Sequence, residues 1–174
     1  MLETLKELLA HQYEASLCTL NLAVARCPDA TWPGPVANWK FCQAAFHVVL
    51  FADLYLHPSD DVASFKRQPF HVARADVFRD YEEFEDRPPV LLYERPFVLE
   101  YIQVVRQKAQ ATIAGETAEV LAGPSGFHWR KCARAELHVY NIRHIQHHAA
   151  QLALRLRLDG QIDVPWVSHA WKEA

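Results

Sequence analysis

Glycine is scarce: the 174-residue chain holds five. A fold of many short strands and tight turns needs more, so the segments rich in leucine, alanine and valine point to helices. Cysteine is sparse as well. Cys18, Cys27, Cys42 and Cys132 form no C-x-x-C pair, which argues against a zinc finger or a disulfide scaffold and for reduced, mostly buried thiols. No apolar run approaches the ~20 residues that cross a bilayer, so no membrane partner is expected. Net charge is −3, with 18 basic and 21 acidic residues. No basic run stands out, and nucleic acid is not an expected partner. The opening MLETLKELLAHQYEAS lacks the basic-then-apolar order of a secretory signal. A cytoplasmic protein is expected.

What the chain does have is helical periodicity. Leu2, Leu5, Leu9, Tyr13, Leu17 and Leu20 recur at the spacing of one helix face and predict a first helix over 2–26. CPDATWPGPVAN, with three prolines and a glycine, stops it. A second helix follows in NWKFCQAAFHVVLFADLYL, with Asn38 as its cap. Phe41, Ala45, Val48, Ala52 and Tyr55 form its inward row. Residues 57–95 are aromatic, charged and rich in proline. RADVFRDYEEFE is a candidate short helix there, and a connection of this length carries small elements or function.

Pro96 suits the first turn of a third helix. Phe97, Tyr101, Val104, Val105, Ala109 and Ile113 are expected to face inward. LAGPSGF is a turn. A fourth helix runs from Lys131 or Ala133 to Leu158, with Gly160 as its stop. Trp166 and Trp171 in the tail are expected to fold back onto the helices. The economical fold is all-α: one domain over 1–174, a four-helix bundle with a long connection between helices 2 and 3.

The fourth helix carries an unusual load. NIRHIQHHAAQLALRLRLDG places His144, His147 and His148 within five positions. His144 and His148 are i and i+4, on one face, a spacing that lets two imidazoles reach one metal ion. His47 is the one histidine inside the second helix, among apolar neighbours. One reading makes these satisfied core histidines. The other joins His47, His144 and His148 in a divalent-metal site, because burying unpartnered imidazoles costs several kcal/mol and a cation that binds neutral imidazole removes that cost.

The segment LHVYNIRHIQHHAAQLALRLR resembles the last helix of the DinB/YfiT-like superfamily. Its usual pattern there is H-x-x-x-H followed closely by Gly-Gln-Leu. Here it stands as His144, His148, Ala149, Ala150, Gln151, Leu152, with alanine in place of the glycine before Gln151. His47 in FCQAAFHVVLFADLYL falls where the superfamily has its first ligand. The order and spacing of the four helices extend the resemblance over nearly the whole chain. It implies a metal-binding four-helix bundle with ligands His47, His144 and His148 and with water at the open positions. The ion it implies is divalent, zinc or nickel before iron or manganese. It also implies a frequent homodimer. Characterised relatives include thiol-dependent enzymes such as bacillithiol transferases and mycothiol-dependent maleylpyruvate isomerases.

The chemistry expected is activation of a low-molecular-weight thiol or of water towards a small-molecule substrate, in a thiol transferase or a hydrolase-like enzyme. A non-catalytic protein with a structural ion is the alternative. The zinc-protease pattern is excluded because Ile145, not glutamate, follows His144. A di-iron carboxylate bundle is excluded by the absence of Glu-x-x-His pairs. Tyr140, four residues before His144, is a candidate proton donor. Gln151 is a candidate partner for a ligand imidazole, and Gln43, one turn before His47, a weaker one. His138 and His147 are expected at the surface or an interface, and His71 is placed in the long connection without a role.

Overall fold

The computed structural model describes residues 1–79, 81–85, 87 and 89–172. Among the described residues it is mostly helical, with seven α-helices and very little strand. Helix α1 spans Leu2–Arg26, as its leucine spacing predicts. A two-residue hairpin follows, β1 (Pro35–Val36) paired antiparallel with β2 (Trp39–Lys40). Helix α2 spans Phe41–Leu56. The predicted cap Asn38 lies instead in the hairpin turn. The cap position is Lys40, whose backbone N–H donates to the Gln43 side chain (2.9 Å).

The long connection carries α3 (Val62–Lys66), α4 (Pro69–Ala73) and a single 3-10 turn at Glu82–Phe84. The helix expected over RADVFRDYEEFE is therefore absent among the described residues, and Asp80 lies outside them. Its aromatics are used as tertiary anchors: Phe78 is buried between Phe46 and His71. Helix α5 spans Arg95–Gly115 with Pro96 in its first turn, and α6 spans Ala118–Ala122. Helix α7 runs over Arg134–Gly160, and its C-terminal residue beyond Gly160 is Gln161 in the left-handed region (φ 54°). The left-handed conformation thus falls one residue later than the predicted glycine stop.

The four long helices make their most extensive contacts in the cyclic order α1, α7, α2, α5. Helix α2 is apolar nearly all round, which is the mark of a helix enclosed by others. All of its residues are buried except His47 and Phe51, which are i and i+4 and form the single stripe left partly open. In the tail, Val167 is buried against α1, and Trp171 packs under the Arg106 guanidinium (4.2 Å to the ring centroid). Trp166 does not fold back as expected: it is 73% exposed. No helix is long and apolar enough to cross a membrane among the described residues.

Candidate metal centre

The half-buried stripe of α2 faces α7. Asn141 Nδ2 donates to the Ala52 carbonyl (3.0 Å) and pins the two helices together one turn before His144. Ile145, Ala149 and Leu152 fill the buried row of α7, which leaves His144 and His148 on the flank that meets α2. The three predicted residues converge. One nitrogen from each of His47, His144 and His148 lies within 4.8 Å of the others. Ring centroids stand 5.6 Å apart for His47 and His144, 5.2 Å for His47 and His148, and 4.8 Å for His144 and His148.

Burial governs their protonation. Desolvation first, then the neighbouring imidazoles, pushes His47 down to about 3. Burial, then His148, His147 and Arg130, takes His144 down to about 3. Burial and His147 lower His148, with the Gln151 side chain pulling the other way. All three are therefore neutral at physiological pH, the form that ligates metal. His144 Nδ1 is buried without a hydrogen-bond partner among the described residues, a costly state that ligation through this nitrogen would relieve. The donor set fits a divalent ion. Three neutral imidazoles are a donor set of the kind that holds zinc and similar ions.

Around the imidazoles the wall is aromatic. Trp39 from the hairpin sits edge-on to His47 at 4.3 Å, Phe51 lies 4.6 Å from His47, and Tyr55 lies 6.2 Å from His144. Two open clefts flank the trio. One of about 510 Å³ runs between the hairpin and α7 and reaches His148 and Gln151. The other, about 630 Å³, is bordered by Tyr140, Arg143, His144, His147 and His148.

The other expected neighbours separate. Tyr140 borders the second cleft beside His144, and its hydroxyl accepts from Arg130, whose guanidinium lies 4.0 Å over the ring. Gln151 is exposed and donates to His147 Nε2 (3.1 Å), and its side chain also acts on the neighbouring His148. Gln43 does not serve the trio. Its Nε2 donates to the carbonyls of Pro89 (2.8 Å) and Leu91 (3.0 Å), tying down the long connection. His147 is exposed, as expected. His138 is not a surface residue: it is fully buried, with Nε2 donating to Glu116 Oε1 (3.0 Å) and Nδ1 accepting from the Tyr13 hydroxyl (3.0 Å). All four cysteines are free, and Cys18, Cys27 and Cys42 are buried.

Sequence reasoning missed a second polar cluster. Asp53 Oδ2 accepts from His71 Nε2 (2.9 Å) and the Tyr101 hydroxyl (2.7 Å), while Lys108 pairs with Asp53 Oδ1 and bonds Gln68 Oε1 (2.7 Å). The one signal was an aspartate inside an otherwise apolar helix. Its partners come from two distant segments, the long connection and α5, which no local pattern connects. The cluster is closed and buried, and its role is to hold the connection against α2 and α5. Compared with known proteins, the chain matches no family model, no curated protein and no solved structure.

Proposed function

We propose that this protein is a metal-dependent small-molecule enzyme of the DinB/YfiT-like type, its four long helices forming that superfamily's bundle. The reading rests on one observation: His47, His144 and His148 bring a nitrogen each within 4.8 Å of one another. A divalent ion held there, zinc or nickel first, supplies Lewis acidity that draws the pKa of a coordinated thiol or water towards neutrality. The chain's residues set the conditions. Three neutral ligands leave the full charge of the ion undiminished. Trp39, Phe51 and Tyr55 set aromatic rings against the imidazoles and lower the local polarity, which strengthens electrostatic effects at the centre. Arg130 fixes the Tyr140 hydroxyl at the rim of the second cleft. The open clefts beside His144 and His148 would admit a low-molecular-weight thiol or water together with a small substrate. In this reading the protein is cytoplasmic and forms homodimers.

The competing reading, a structural ion without turnover, calls for a sphere closed by protein. Two clefts that reach His148 favour the catalytic one. Elemental analysis of protein purified without a histidine tag tests the site. Near-stoichiometric metal is expected in the parent and none in His47→Ala or His148→Ala. Unchanged metal in either variant removes that histidine from the ligand set. Cobalt substitution separates the chemistries. A thiolate charge-transfer band on adding a small thiol supports thiol activation, and its absence leaves water activation.

A further inference from the structure

The cleft between the hairpin and α7 has a one-sided chemistry. Its walls are apolar: Trp39 and Ala44 on one side, Leu154 and Leu158 on the other. Its polar side chains are Asn38 from the hairpin turn and His148, Gln151 and Arg155 in order along α7. In a chain with more acids than bases, neither this cleft nor the one beside it is lined by a carboxylate, while each holds an arginine, Arg155 here and Arg143 there. Leu154 and Leu158 are 56% and 73% exposed, which is expensive surface to leave against water unless something covers it. The volume, about 510 Å³, falls in the range of small-molecule sites.

Arg155 is the sole formal charge on the cleft wall, and its geometry matters. Its Nε and one terminal nitrogen hold Asp159 side-on, both at 2.8 Å. A guanidinium has five N–H groups, so this pair leaves the end-on edge free for a second carboxylate. Asp159 fixes the fork in place and partly offsets its charge.

From this we propose that the cleft binds a small molecule with an apolar body and a carboxylate. The body lies between Trp39 and the Leu154–Leu158 stripe, the carboxylate meets the free edge of Arg155, and the opposite end is presented to His148. This names the substrate class for the centre proposed above and rests on that reading for its chemistry. Binding in the cleft can be measured without any metal.

The probes are 4-phenylbutyrate and its neutral amide, titrated by calorimetry into the full-length, metal-free protein. The parent is expected to prefer the carboxylate by about tenfold, the scale of one charge-assisted hydrogen bond. Arg155→Gln should abolish the preference while leaving amide binding in place. Leu154→Glu, which removes part of the apolar wall and adds a negative charge beside Arg155, should weaken both probes and weaken the carboxylate more than the amide. Equal binding of both probes to the parent, no binding of either at millimolar concentration, or an unchanged preference in both variants overturns the proposal. Zinc binding by the same proteins is measured in parallel. In the parent, equal binding of the two probes with normal zinc binding defeats the cleft alone, and carboxylate selectivity without zinc binding defeats the metal centre alone.

Discussion

His71 Nε2 stands 2.9 Å from Asp53 Oδ2, both side chains buried, and joins the long connection to the last turn of α2. Lys108 of α5 completes the arrangement from the other side of the carboxylate. Burial by itself raises the Asp53 carboxyl, but the His71 hydrogen bond and the Lys108 ammonium outweigh it and hold it below the usual range. Removing one partner of a buried pair costs about 3–5 kcal/mol. Lys108 is 22% exposed, so Lys108→Met should fall at the low end of that range. Asp53→Asn combined with Lys108→Met should recover part of the loss. Urea unfolding of the parent, Asp53→Asn, Lys108→Met and the double variant gives the comparison, and additive losses in the double variant would contradict the pairing.

His144 carries a buried, unpartnered nitrogen, so its presence is a liability in the metal-free protein. His144→Leu should stabilise that form by about 1 kcal/mol, since an apolar side chain replaces an unsatisfied polar one. With zinc at about a hundred times its dissociation constant, the parent alone gains about 2.7 kcal/mol, and the order of stability reverses. Thermal melts with and without zinc read both arms. A variant that is less stable in both conditions would make His144 a structural residue.

Acid should unfold the metal-free protein early. His47, His144, His148 and His138 all have folded values below their ordinary one, burial being the first cause in each case. The unfolded chain therefore takes up protons first as pH drops. Their contribution to stability is complete above about pH 6.5 and declines towards the folded values below it, by up to about 1.4 kcal/mol per pH unit for each histidine. Asp53 acts in the same direction lower down, its contribution present above the unfolded value of about 3.9 and lost as pH falls through its depressed folded value. Stability from urea titrations should slope upward between about pH 5 and pH 7, and zinc should raise the whole curve. A flat curve would mean that the imidazoles are solvated.

The hairpin turn holds one strained residue. Ala37 has φ 51°, a left-handed conformation that costs a non-glycine residue about 1–2 kcal/mol. Ala37 also borders the cleft beside His148. Ala37→Gly should raise stability by about 0.5–1 kcal/mol, the relief of strain being partly offset by the freedom glycine has when unfolded. Differential scanning calorimetry measures it, and destabilisation would show that the alanine methyl packs against something essential.

Local pattern carried much of this protein. The leucine row of α1, the proline-rich stop and the apolar length of α2 placed the long helices to within a few residues, because helical periodicity and its breakers are properties of neighbouring side chains. The i, i+4 pair His144 and His148 was legible for the same reason, and His47 stood out as the lone imidazole in an apolar helix.

Tertiary structure decided the rest. Nothing local tells that His138 is buried on Glu116, that Gln43 serves the connection, or that His71 bonds Asp53, since each of those partners lies 18 or more residues away along the chain. Trp166 and Trp171 look alike in sequence and differ in exposure because only one meets a guanidinium from α5. The sequence by itself determined where the helices run and which histidines share a face. Only packing, which brings together side chains far apart in the chain, decided which imidazoles meet and where an open cleft reaches them.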